Sequence, residues 1–164
     1  MYRITKASNK VIEYACKKYH YSKAVPVNVH WYNVYYNDEW CGVILYGTGA
    51  NNNLAKAFNL KQWEVIELVR IALNGKQDNV SKPLAITLKL LKKDLPNVKL
   101  IVSYSDLDQS HEGIIYRATN RKYVGTTQID NFSAFIVNGK KMHQKTVHGK
   151  WITYYQFHIR QIFL

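Results

Sequence analysis

The stretch from Trp63 to Val102 constrains this chain more than any other. Residues 63–73, WEVIELVRIAL, set Val65, Glu67 and Val69 against Ile66, Leu68 and Arg70, a partial alternation that predicts a central strand. After the loop NGKQDNV, Ser81-Lys82-Pro83 combines a capping residue with an early proline, and Leu84, Leu88 and Leu91 recur at helical spacing as far as Lys93. Pro96 stops that helix, and Val98 to Val102 predicts the next strand. Strand, helix and strand in this order require a right-handed crossover and two adjacent parallel strands. The chain is therefore expected to be a single α/β domain over residues 1–164, a central mixed sheet flanked by helices.

The remaining segments fit around that unit. Tyr2 to Lys6 predicts a short strand, and Ser8 stands where it can cap a helix over residues 9–19. Val11, Ile12, Ala15, Cys16 and Tyr19 line one face of that helix, and His20-Tyr21 follows in a loop broken by Pro26. Asn28 to Tyr36 and Trp40 to Tyr46 predict a hairpin turned by Asn37-Asp38. Beyond Val102 the residues Ser103, Ser105, Asp106, Asp108, Gln109, Ser110, His111 and Glu112 predict a polar turn at a strand's carboxyl end. In an open α/β sheet such ends are where ligands bind. A short helix, GIIYRATN, then presents Tyr116 and Arg117. The tail predicts further strands, Phe132 to Val137 and within Trp151 to Leu164, with Asn138-Gly139 as a hairpin turn.

Charge narrows the function classes. With 23 Lys+Arg against 11 Asp+Glu the net charge is +12, which favours a polyanionic partner, either nucleic acid or an anionic membrane surface. The 13 tyrosines add flat, amphipathic rings able to stack on bases. The amino-terminal MYRITKASNK lacks the apolar core of a signal peptide and no apolar run is long enough to span a bilayer. A soluble intracellular protein, with no membrane partner, is the expectation. Cys16 and Cys41 have no metal-ligand spacing and read as buried free thiols.

Several groups carry chemistry on their own account. Ser81 and Lys82, at a helix amino terminus after a central strand, are candidates for holding the phosphates of a cofactor; an ordinary helix cap explains them equally well. Asp106 reads as a general base, a metal ligand or a turn residue, and Tyr116 as a proton donor or a stacking ring. Arg70 breaks an apolar strand, so its charge must be paired or face a cleft. His20 and Tyr21 lie in a loop that the core does not require. No GxSxG elbow, Walker loop or HExxH helix occurs in the sequence, which removes the commonest hydrolase readings.

The element order resembles the GNAT acyltransferase fold. More narrowly, HYS at His20 to Ser22, ELVR at Glu67 to Arg70, SYSD at Ser103 to Asp106, the run QSHEGIIYRATNRKYVG and NGKKMHQKT at Asn138 to Thr146 resemble the Mom family of phage DNA-modification proteins. Ser110 stands where that family's pattern has glycine. The resemblance implies a transferase that places a carbamoylmethyl group on adenine N6 and so shields phage DNA from restriction in the cytoplasm of an infected bacterium. By position, His20, Tyr21, Arg70, Asp106 and Tyr116 match functional residues of the family.

That chemistry sets requirements. Adenine N6 is a poor nucleophile and is unreachable in a stacked duplex, so the base must be flipped or met in a single strand. Tyr32, Trp40 and Tyr116 are candidates to hold it, with Asp106 and Tyr116 managing protons and Arg70 orienting them or the donor. The donor is expected to be acetyl-CoA or a relative. Since the product joins N6 to a methylene, an iron-like or other divalent ion held by His20, Tyr21 and Asp106 would widen the available chemistry. Two rivals remain: an ordinary GNAT N-acetyltransferase acting on a protein or small-molecule amine, and a non-catalytic nucleic-acid-binding module. Edge strands and the basic carboxyl-terminal hairpin would serve either a homodimer or DNA contact.

Overall fold

The computed structural model describes residues 1–48, 53–106, 113–126, 134–137, 140–143, 154–156 and 160–163, with backbone alone for 54, 106 and those from 134 onward. The chain starts as β1 (Tyr2–Lys6), passes through α1 (Asn9–Tyr19), and forms the hairpin β2 (His30–Tyr36) and β3 (Glu39–Gly47). Asn37 and Asp38 turn the hairpin with φ of 49° and 64°, the paired positive values that let two strands continue their twist through a tight turn. After α2 (Leu54–Ala57) come β4 (Val65–Leu73), the crossover helix α3 (Ser81–Asp94) and β5 (Leu100–Asp106). Then follow α4 (Ile114–Arg117), β6 (Tyr123–Thr126), β7 (Ala134–Val137), β8 (Lys140–His143), β9 (Tyr154–Gln156) and β10 (Arg160–Phe163).

Seven strands make one sheet in the order β1-β2-β3-β4-β5-β10-β6, and β8-β7-β9 make a second. Within the first, β4 and β5 run parallel, as the crossover requires; the other pairings are antiparallel. Helices cover both faces. On one face Ile12, Ala15 and Cys16 of α1 pack on Val43, Leu45 and Ala72. On the other, Leu84 and Leu91 of α3 pack with Ile44, Tyr46, Ile66 and Leu68. Each fully buried aliphatic side chain here contributes about 1.5–3 kcal/mol through removal from water. Cys16 and Cys41 are buried and free.

Three sequence expectations need correction. Ser8 occupies the cap position of α1, yet its side chain makes no capping hydrogen bond; its carbonyl accepts from Ile12 instead. Trp63 precedes the central strand, because residues 62–64 form a 3-10 turn in which Glu64 accepts the Lys61 amide at 2.8 Å. Most consequential, Ser103, Ser105 and Asp106 are not a turn. They continue β5, with Ser103, Tyr104, Ser105 and Asp106 opposite Phe163, Ile162, Gln161 and Arg160 of β10. A neighbouring strand distant in sequence satisfies their backbone, which local polarity does not reveal.

Candidate active site

Two departures from regular β geometry build the site. The first is a register shift in β4. Leu45 and Gly47, two apart on β3 and hence on one face, stand opposite Arg70 and Glu67, which are three apart on β4. An extra residue is accommodated around Val69, a bulge, and it places Glu67 and Arg70 on the α1 face together. The second is a parting of strands. β4 and β5 pair from Val65↔Leu100 to Leu68↔Ser103 and no further, although β4 continues to Leu73 and β5 to Asp106. The sheet opens between their carboxyl ends.

Several of the expected residues meet at this opening. Arg70 Nη1 lies 2.8 Å from Nδ1 and 3.0 Å from Nε2 of His20, the residue that ends α1. The Ser22 amide also donates to Nδ1, at 3.1 Å. An amide N–H only donates, so Nδ1 accepts from Ser22, and the Arg70 guanidinium lies against both ring nitrogens. The Tyr21 ring packs on His20 with centroids 4.2 Å apart and remains 47% exposed. Burial raises the thiol pKa of Cys16, with the nearby Arg70 opposing.

Tyr116 enters from α4, which Gly113 opens in a left-handed conformation, φ 71°. Its hydroxyl points to the Tyr104 carbonyl, 3.4 Å away, at the first β5 residue past the paired segment. Burial pushes its phenol up to about 12; Arg121 pulls against that rise, while Tyr21 and Glu67 add to it. Tyr116 is therefore a protonated group at neutral pH, a donor and not a base. Ser103, 0% exposed, has no hydrogen-bond partner for its hydroxyl among the described residues.

Other expectations fall elsewhere. The backbone of Asp106 ends β5 and its side chain lies outside the described residues, as do Asp108, Gln109, Ser110, His111 and Glu112. Tyr32 is a core residue whose hydroxyl donates to Asp94 at 2.8 Å, and Trp40 packs against Tyr14 and Tyr19 with its indole N–H on Asn33. Neither is presented at the opening to hold a base. Ser81 and Lys82 do start α3, but Asn79 Oδ1 accepts both the Lys82 amide (2.8 Å) and the Ser81 hydroxyl (3.3 Å), and Lys82 Nζ pairs with Asp78 at 2.8 Å. This is a helix capped by its own chain. For a metal, among the described residues no three His, Cys, Asp or Glu side chains cluster, and the Arg70 cation beside His20 is the wrong neighbour for another cation. The described donors do not fit a metal.

Sequence reading missed Arg121, which looks like one more surface base in RKYVG, yet is 8% exposed. It also gave Glu67 no role of its own. Nothing local signals either placement: that of Arg121 depends on where β5 and α4 come to lie, that of Glu67 on the register of β4 against β3.

No curated protein matches the chain in sequence. Solved structures do match in fold. A probable acetyltransferase from Staphylococcus epidermidis superposes with TM-score 0.59 at 8% identity, covering 99% of this chain and 97% of that one. A GNAT family acetyltransferase from Elizabethkingia anophelis, with acetyl-CoA bound, gives 0.55 at 14% identity, with coverage of 99% and 95%. A Bacillus subtilis acetyltransferase in complex with CoA gives 0.54 at 11% identity, covering 98% and 95%. These likenesses establish a GNAT-like fold. The Mom protein family model matches residues 1–162, essentially the whole chain including both strands of the opening and every residue gathered there, and the protein therefore belongs to the Mom family.

Proposed function

We propose that this chain is a transferase that places a carbamoylmethyl group on N6 of adenine in DNA, thereby protecting phage DNA from restriction. Membership of the Mom family and the GNAT-like fold support the reading. The observation that carries it is the meeting of His20 and Arg70 at one side of the β4–β5 opening with Tyr116 in electrostatic reach of Tyr21. The net charge of +12 suits a DNA backbone.

The parted strands fit the acyl-bearing arm of a CoA-type donor, held along the β4 edge beyond Leu68; Ser81 and Lys82, committed to Asn79 and Asp78, do not fit its phosphates. When bound, such a donor supplies an activated two-carbon unit. A plain acetyl thioester would leave a carbonyl on N6, so the carbamoylmethyl product calls for a donor whose methylene carbon is the electrophile. The N6–carbon bond forms, the bond from methylene to leaving group breaks, and N6 gives up one proton. On the protein side, Tyr21 offers an exposed ring for stacking a flipped adenine. Arg70 holds the His20 imidazole in place at the opening. Tyr116 holds its proton at Oη and can deliver it to the leaving group, with Asp106, at the end of β5, the candidate to accept the proton from N6.

Nucleoside mass analysis of DNA from cells expressing the protein tests this. The expected species is a deoxyadenosine heavier than N6-acetyl-deoxyadenosine by one nitrogen and one hydrogen, absent with Asp106→Ala and Tyr116→Phe. An N6-acetyl product, or acetylated polyamine with unmodified DNA, would replace the proposal with ordinary GNAT chemistry. DNA binding without any new base would leave a binding module.

A further inference from the structure

Arg121 is the charged side chain that the fold buries among the described residues. It follows Asn120, whose φ of 60° reverses the chain after α4 and sends Arg121 back under the helix. Two contacts tie it there. Its amide donates to the Tyr116 carbonyl at 3.1 Å, and its guanidinium donates through Nη2 to the Ile101 carbonyl on β5. The guanidinium carbon lies 5.9 Å from the centre of the Tyr116 ring. Tyr46, on β3, is near enough to favour its charge, as Tyr116 does. Burial works against that charge, and a cation kept at such a cost calls for a reason beyond stability.

We infer that Arg121 is a positioning residue: it clamps α4 onto the first half of β5, seating the Tyr116 hydroxyl at the strand opening with a fixed positive charge behind the ring. The contact to Ile101 lies in the segment where β5 still pairs with β4, whereas Tyr116 reaches Tyr104, past that segment. Arg121 thus anchors the tyrosine to the rigid part of a strand whose far part stands apart from β4. The other charges at the phenol, Tyr21 and Glu67, both disfavour its ionised form, so Arg121 is the group that opposes them. This inference rests on Tyr116 being the proton-handling residue of the proposed reaction, but its test does not depend on that reaction.

The experiment replaces Tyr116 with a fluorinated tyrosine, whose lower intrinsic pKa brings the titration into a range where the fold is intact, and follows it by fluorine NMR in full-length protein. Arg121→Met keeps the length and removes the charge; Arg121→Lys keeps the charge. Far-ultraviolet circular dichroism verifies the fold of each variant. Arg121→Met is expected to move the phenol titration upward by ~1 pH unit and broaden the resonance, with Arg121→Lys restoring most of the shift. An unchanged midpoint and line width in folded Arg121→Met would overturn the inference, whatever happens to DNA modification. A shifted titration in a protein that never modifies DNA would uphold the placement and count instead against the proposed function.

Discussion

Arg70 reaches His20 across the gap between a strand and the end of a helix, Nη1 to Nδ1 at 2.8 Å, from a position that unbroken alternation with Glu67 would have turned to the opposite face. The pair links the bulge in β4 to the loop after α1, and two separate stretches of sequence become one wall of the opening.

Arg70→Lys tests that wall. A lysine keeps the charge but loses the planar fork that fixes the imidazole. Modified base is expected to fall at least ~10-fold, since slight misplacement of a reacting group is costly. Thermal denaturation should show a far smaller effect than Arg70→Ala does.

Tyr116→Phe removes one hydroxyl and little volume. If the phenol supplies a proton, product formation should drop by about 10²–10⁴-fold with the fold intact. A companion effect appears at high pH. Relative to the ordinary 10, the folded protein raises the phenol to about 12 in Tyr116 and in Tyr2, and raises it further in buried Tyr46. A raised pKa favours the protonated, folded form, so this stability is complete below pH 10 and is lost as pH climbs through 12. Chemical denaturation across that window should give a shallower loss in Tyr116→Phe than in the parent.

At the opposite end of the sheet, Asp94 Oδ2 accepts from Lys6 Nζ, His30 Nε2 and Tyr32 Oη, each at 2.8 Å. With Lys6 contributing most, these donors hold its carboxyl well below the usual carboxylate range. A depressed pKa gives stability present above the unfolded value and lost as pH falls, so acid should unfold the parent more steeply than Asp94→Asn. At neutral pH that variant is expected to cost about 1–2 kcal/mol in urea titrations, discounted for the exposed edge of the carboxylate.

Gly42 offers a backbone test. Its φ is +134°, and an added Cβ would lie 2.0 Å from the Ala72 carbonyl oxygen in the adjacent strand. Gly42→Ala should therefore cost at least ~2–4 kcal/mol, visible as a lower urea midpoint, because backbone on both strands would have to move.

The sequence disclosed the parallel pair, the hairpin and the bounds of α1, since periodicity and turn residues encode such elements locally. It also pointed to His20, Arg70 and Tyr116. It did not disclose that SYSD extends a strand, because the satisfaction of that backbone comes from Arg160 to Phe163, a segment far later in the chain. Nor did it disclose that Asn79 would claim the amino terminus of α3 before any phosphate could, or that Arg121 would be buried. These are facts about which distant segment arrives, and composition is silent on arrivals.

The bulge in β4 has one more implication. Ahead of Val69 the odd-numbered residues look toward α1, and behind it the even-numbered ones do, so a single strand follows two opposite numbering rules. Substituting a side chain there alters one contact. If the strand instead ran in plain alternation with Val69 kept, everything downstream would swing to the other face, sending Arg70 into the oily layer beneath α3 and Ile71 out toward His20. Deleting Val69 would only remove the bulge and leave both where they are. The bulge itself, more than the identity of Val69, decides what Arg70 faces.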